Sequence, residues 1–340
     1  MQSICVTGVG GFIASWIVKG LLDRGYLVRG SVRKVSKGAP HLQALAGAQD
    51  RLKLCEGDLL KEGSFDAAVT GCDTVIHTAS PYILDVKDPQ KDLVDPAVKG
   101  TLNVLEACAK APSVKRVVLT SSMAAITDEP ENDKVLTGAD WNTKSTLERN
   151  PYYLSKTLAE RAAWDFMETR KPHFDLVAIN PFFVIGPSLT KELGTTNQIF
   201  ADMLKGTYPG IMNLNWGLID VRDVADSHIR AMEVSGAHGR YICANDAVSM
   251  RTVVEWMNEF GYAEGHKLPK LGMDCAIGDY VVKLSSYMQP KGVGAYLRTN
   301  IGKTALYDTS KIREELGIKF RPVKESVRET VEDLIKWGHI

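Results

Sequence analysis

No charge of either sign predominates in this chain of 340 residues: Lys plus Arg and Asp plus Glu each number 41, and no long run of one sign occurs. A nucleic acid or an anionic membrane as main partner calls for a clustered basic surface, so neither is expected. A stretch of about 18 apolar residues, the length that spans a bilayer, is also lacking. Met1-Gln2-Ser3-Ile4-Cys5-Val6 runs directly into a strand pattern without a charged head and apolar segment. No signal peptide is therefore expected, and the localisation reads as cytoplasmic. The six cysteines have no CxxC spacing, and the seven histidines form no HxxxH or HExxH pattern. Disulfides and a metal site are not expected, and the cysteines read as small core residues.

What is present is enough apolar sequence, 44%, to bury one large or two medium cores. Residues 3–7 read as a buried strand, followed by Gly8-Val9-Gly10-Gly11-Phe12-Ile13-Ala14 and an amphipathic helix through Leu22 that closes at Gly25. Strand, glycine turn and helix start together aim backbone N–H groups and a helix dipole at a pyrophosphate. Gly8 suits the tight turn, Gly10 and Gly11 allow close backbone approach, and Ala14 lets helix pack on strand. The next strand, 26–32, ends at Arg33-Lys34-Val35-Ser36-Lys37, with no acidic residue from there until Asp50. NAD would want a carboxylate here for its ribose hydroxyl, whereas a 2′-phosphate wants arginine. NADP(H) is therefore the expected cofactor, with Arg33 as principal contact and Lys37 as helper.

Strand and helix continue to alternate: strands at 52–56, 74–77 and 114–120, a helix near 65–69 and a long one over 94–111. Such units predict right-handed crossovers and an α/β, Rossmann-type doubly wound parallel sheet. Ligands sit at the carboxyl ends of its strands, which places Gly8, Arg33, Asp58, Ala79 and Ser122 on one rim, with Asp58 a candidate for the adenine amine. Each of these residues also suits an ordinary strand-end turn.

Asn150-Pro151-Tyr152-Tyr153-Leu154-Ser155-Lys156 opens a helix, with Asn150 as N-cap and Pro151 at the first helical position. Tyr152 and Lys156 then share one face, one turn apart. A positive charge beside a phenol stabilises the phenolate and makes the hydroxyl a usable proton donor to a carbonyl oxygen. A buried ring beside a solvated amine is the ordinary alternative. After a strand at 176–180 the alternation weakens, and residues 261–302, rich in Gly and Pro, resist assignment. The expected division is a cofactor domain over residues 1–180, with 219–235 returning to it, and a smaller, interleaved substrate lobe over 181–340. Residues 219–224 read as a strand leading into a helix. Phe182, Met212 and Trp216 are candidates for an apolar substrate pocket.

Taken together, Thr7 to Trp16, Thr120-Ser121-Ser122, Tyr152 to Glu160, Asn180 to Pro187 and Asp220 to His228 resemble the extended short-chain dehydrogenase/reductase family. Within it they look like the dihydroflavonol reductase, cinnamoyl-CoA reductase and NADPH-dependent aldehyde reductase branch. The resemblance implies hydride transfer to a carbonyl carbon, with Ser122 orienting the oxygen, Tyr152 (rather than Tyr153) protonating it and Lys156 holding the ribose. It also implies cofactor contacts at Phe12, Ile13, Leu59, Thr78, Ser80, Pro181 and Val184. Departures bear on substrate. Thr127 stands where dihydroflavonol reductases place asparagine, the glutamine expected near Trp216 is missing, and 151–156 differs from the longer cinnamoyl-CoA reductase signature. A smaller or broader aldehyde or ketone is therefore expected over a catechol ring or a CoA thioester. Rival readings are a hydroxysteroid dehydrogenase or sugar-nucleotide epimerase of the same fold, and a non-catalytic NADP-binding sensor. Either a monomer or a homodimer fits.

Overall fold

The computed structural model describes residues 2–80, 88–131 and 133–340. Seven strands form the main sheet: β1 (Ser3–Thr7), β2 (Leu27–Val32), β3 (Leu52–Glu56), β4 (Thr74–His77), β5 (Arg116–Thr120), β6 (Asp175–Pro181) and β7 (Gly239–Cys243). Their order is β7-β6-β5-β4-β1-β2-β3 and every pairing is parallel. This is a Rossmann-type α/β sheet, and its order reverses between β1 and β4, where a ligand crevice opens.

Long helices pack on both faces of the sheet: α1 (Phe12–Asp23), α2 (Asp95–Lys110), α3 (Pro151–Arg170) and α4 (Val221–Glu233). The period of two along each strand sorts its side chains between the two faces. Ile4 and Val6 pack with Ile17 of α1 and Ile229 of α4, while Cys5 packs with Val104 of α2 and Phe166 of α3. Both faces are buried, so the strands read as nearly continuous apolar runs. Among the described residues no helix is long and apolar enough to cross a membrane.

A second core joins strands Phe183–Ile185 and Asn215–Asp220 to helices Thr195–Lys205, Met250–Glu259 and Val323–Lys336. The chain interleaves the two bodies. α4 packs on α1, and β7, which lies inside the range expected for the second lobe, is one of the two edge strands of the main sheet. The strand expected over 219–224 instead ends at Asp220, whose carboxylate accepts the Arg222 backbone N–H at 2.8 Å and caps α4. Residues 261–302, unassigned from sequence, hold helices Ala276–Ser285 and Lys291–Asn300. The first of these docks through Gly278 and Val282, leaving Ile277, Tyr280 and Leu284 facing solvent.

Candidate active site

The glycine turn leaves room for a dinucleotide phosphate. Gly8 has φ +66°, and a Cβ there would sit 3.0 Å from Ala79 Cα, so β1 and β4 could not approach this closely with any other residue. A Cβ on Gly10 would meet nothing within 4 Å, which marks open space above the turn. Gly11 precedes α1 without a side-chain cap, so the first N–H groups of the helix stay available to an anion. Phe12 and Ile13 begin that helix. Thr7 Oγ1 accepts the backbone N–H groups of Thr78 and Ala79, each at 3.1 Å, and faces His77 Nδ1 at 2.8 Å. Having accepted twice, the hydroxyl donates to the imidazole. Burial, helped by the charge of Lys156, lowers the His77 pKa to about 3.

Arg33 and Lys37 are exposed just beyond β2, where a 2′-phosphate would need them. Asp58 Oδ1 accepts the Leu60 N–H at 3.0 Å and so shapes the turn after β3. Leu59 packs against Gly100, and its carbonyl accepts Asn103 Nδ2 at 2.7 Å, which ties this turn to α2.

Pro151 starts α3 as expected, but the Asn150 side chain makes no capping bond, and its Nδ2 is buried without a partner. Lys156 Nζ lies 5.6 Å from the centroid of the Tyr152 ring and donates to Ser80 Oγ at 2.7 Å. Burial lowers its pKa from the usual 10.5 to about 8. Ser122 follows β5 and accepts the Ala124 N–H at 3.1 Å, capping the turn Met123–Ala125. The bond engages the oxygen and keeps the hydroxyl hydrogen for another acceptor. Asn180 Nδ2 donates to the Ser122 carbonyl at 3.2 Å, just before Pro181 ends β6. Val184 is buried in the adjoining strand, paired in register with Ile219.

The substrate candidates divide. Phe182 is half-buried and its ring centroid lies 6.1 Å from that of Tyr307, while Thr127 is half-buried beyond the Ser122 turn. Met212 and Trp216 are 6% and 3% exposed and pack with the second core. A groove of about 930 Å³ beside Trp141, Trp164 and Lys311 contains none of the expected site residues. Sequence reasoning gave no role to Glu160, Arg240 or His77. For Glu160 a signal existed, since it falls one turn beyond Lys156 on the same face. Among the described residues no group of His, Cys, Asp or Glu could hold a metal ion.

The model of the NAD dependent epimerase/dehydratase family matches residues 4–262. The chain belongs to that family. It is 41% identical to cinnamoyl-CoA reductase CAD2 of Medicago truncatula, over 97% of this chain and 95% of that one. Tetraketide alpha-pyrone reductase 1 of Arabidopsis thaliana is 38% identical over 99% of this chain and 96% of its own length. Among solved structures, yeast methylglyoxal/isovaleraldehyde reductase Gre2 complexed with NADPH matches with a TM-score of 0.80, 31% identity and full coverage of both chains.

Proposed function

We propose that this member of the epimerase/dehydratase family reduces an aldehyde or ketone to an alcohol with NADPH. The observation that carries the reading is the buried Lys156 ammonium, 5.6 Å from the Tyr152 ring, at the crevice where the Gly8 turn and Ala79 meet. Gly8, Gly10, Gly11 and the start of α1 hold the pyrophosphate, and Arg33 with Lys37 holds the 2′-phosphate. Asp58 and Leu59 border the adenine, and Thr78, Ala79, Ser80, Pro181 and Val184 border the inner part of the dinucleotide. Bound NADPH supplies the hydride.

This chain supplies positioning and a proton. The Ser122 hydroxyl donates to the substrate carbonyl oxygen and fixes its orientation. As charge grows on that oxygen, the Tyr152 hydroxyl transfers its proton to it, leaving a phenolate. The Lys156 ammonium stabilises that phenolate, the more strongly because burial excludes competing water. Phe182 and Thr127 border the space for the rest of the substrate.

Purified protein, NADPH and a panel of aromatic and aliphatic aldehydes and ketones provide the test, read as loss of reduced-nicotinamide absorbance. NADPH binding without turnover on any of them would discard the reading. A second reading, thioester reduction, is favoured by the identity to a cinnamoyl-CoA reductase. Adding an aromatic acyl-CoA to the panel decides it: consumption of that compound alone would replace the simple carbonyl.

A further inference from the structure

A carboxylate with five donors sits beneath the site. Glu160 Oε2 accepts from Ser121 Oγ at 2.5 Å, Asn180 Nδ2 at 2.8 Å and Arg240 Nη2 at 3.1 Å. Its Oε1 accepts from Arg240 Nε at 2.6 Å and Trp164 Nε1 at 3.2 Å. The Glu160 and Arg240 side chains are 1% and 6% exposed. All five N–H groups of the guanidinium are also used: beyond Glu160 it donates to the carbonyls of Gly138 at 3.0 Å, Ala125 at 3.3 Å and Asp140. Its Cζ lies 3.8 Å from the centroid of the Trp141 ring. Neither group can move without breaking several bonds at once.

The partners explain what such a clamp would fix. Ser121 is the neighbour of Ser122. Asn180 also bonds the Ser122 carbonyl and precedes Pro181. Ala125 closes the turn that Ser122 caps. Glu160 itself lies on α3 one turn beyond Lys156 and two beyond Tyr152, on the same face. A buried ion pair is a poor source of net stability, because desolvation of both charges offsets their attraction. Its directional bonds do hold elements at fixed distance and orientation, which an apolar contact that can slide does not.

We propose that Glu160 and Arg240 are positioning residues, which set where Ser122 stands relative to Tyr152 and Lys156. The proposal rests on the reductase reading. A control is built into the same two strands. Arg116 and Asp175 form a bidentate pair, both bonds at 2.8 Å, at the opposite ends of β5 and β6. Removing that pair perturbs the same sheet at a distance from the chemistry.

The test compares Glu160→Gln, the milder Ser121→Ala, the charge-free Glu160→Gln/Arg240→Met and the control Asp175→Asn. Read-outs are kcat and its pH profile, NADPH dissociation constant by fluorescence, melting temperature, and a crystal structure of Ser121→Ala. Placement errors of about 1 Å cost roughly a hundredfold in rate. We expect kcat to fall by that order in Glu160→Gln and by roughly tenfold in Ser121→Ala. NADPH affinity stays within about threefold, and Asp175→Asn loses melting temperature but keeps kcat. The crystal structure shows Ser122 displaced from the Tyr152 face. Equal losses of kcat and melting temperature in every variant, control included, would reduce the clamp to a structural pair and overturn the proposal. So would an unmoved Ser122 in that crystal structure, a result independent of turnover. A parent protein inactive on all carbonyls would instead remove the reductase reading.

Discussion

The Lys156 ammonium stands 5.6 Å from the Tyr152 ring centroid and donates to Ser80 Oγ, a residue 76 positions earlier in the chain. A charge buried this way stabilises a phenolate but opposes its own solvation.

Tyr152→Phe removes the transferable proton while keeping the ring, and should lower kcat by roughly a hundredfold or more. Tyr153→Phe should keep most activity, because Tyr153 is three residues from Lys156 rather than four. Steady-state rates of the two variants settle the assignment, and the reverse ranking would withdraw it.

The Lys156 pKa of about 8 sets a pH limit. Reduction needs the ammonium, so the rate should fall as pH rises through about 8. Folding also disfavours the charged form, since the folded state releases a proton that the unfolded chain keeps up to 10.5. This penalty is roughly 3 kcal/mol below pH 8 and vanishes as pH rises toward 10.5. Lys156→Met should therefore abolish turnover and yet raise the melting temperature at pH 7. Unchanged or lower stability in that variant would contradict the burial penalty.

Arg33→Ala should weaken NADPH binding by roughly tenfold to a hundredfold, the value of charge-assisted bonds to phosphate, and leave NADH binding nearly unchanged. Titration of both cofactors measures the ratio. Equal weakening of the two would place the 2′-phosphate elsewhere.

Two buried histidines make the fold acid-sensitive. Burial is the main cause holding His77 at about 3, and the sole lowering cause holding His228 at about 4. Between those values and the unfolded 6.5 only the unfolded chain takes up the protons. Stability is complete above pH 6.5 and should fall on the order of 1 kcal/mol per pH unit for each histidine below it. Melting curves from pH 7 to 4 test this, and His77→Asn should flatten the decline.

Much of the site was legible because it is local. The Gly8 turn follows directly from strand β1, and Tyr152 and Lys156 share a face through helical spacing alone. Asp58 and Leu59 were legible as strand-end residues, but their bonds to Leu60 and Asn103 appear only in the fold. Apolar character does not distinguish a cavity wall from a core, so Met212 and Trp216 suit either by sequence.

The sequence by itself determined the alternation of strand and helix, the glycine turn, the basic end of β2 and the Tyr152–Lys156 face. These depend on periodicities and spacings within a few residues. Only the tertiary structure decided that Ser80 meets Lys156, that Glu160 and Arg240 pair across 80 residues beneath Ser122, and that β7 completes the main sheet. Those contacts depend on which strand ends the crossovers bring together, and no local pattern carries that information.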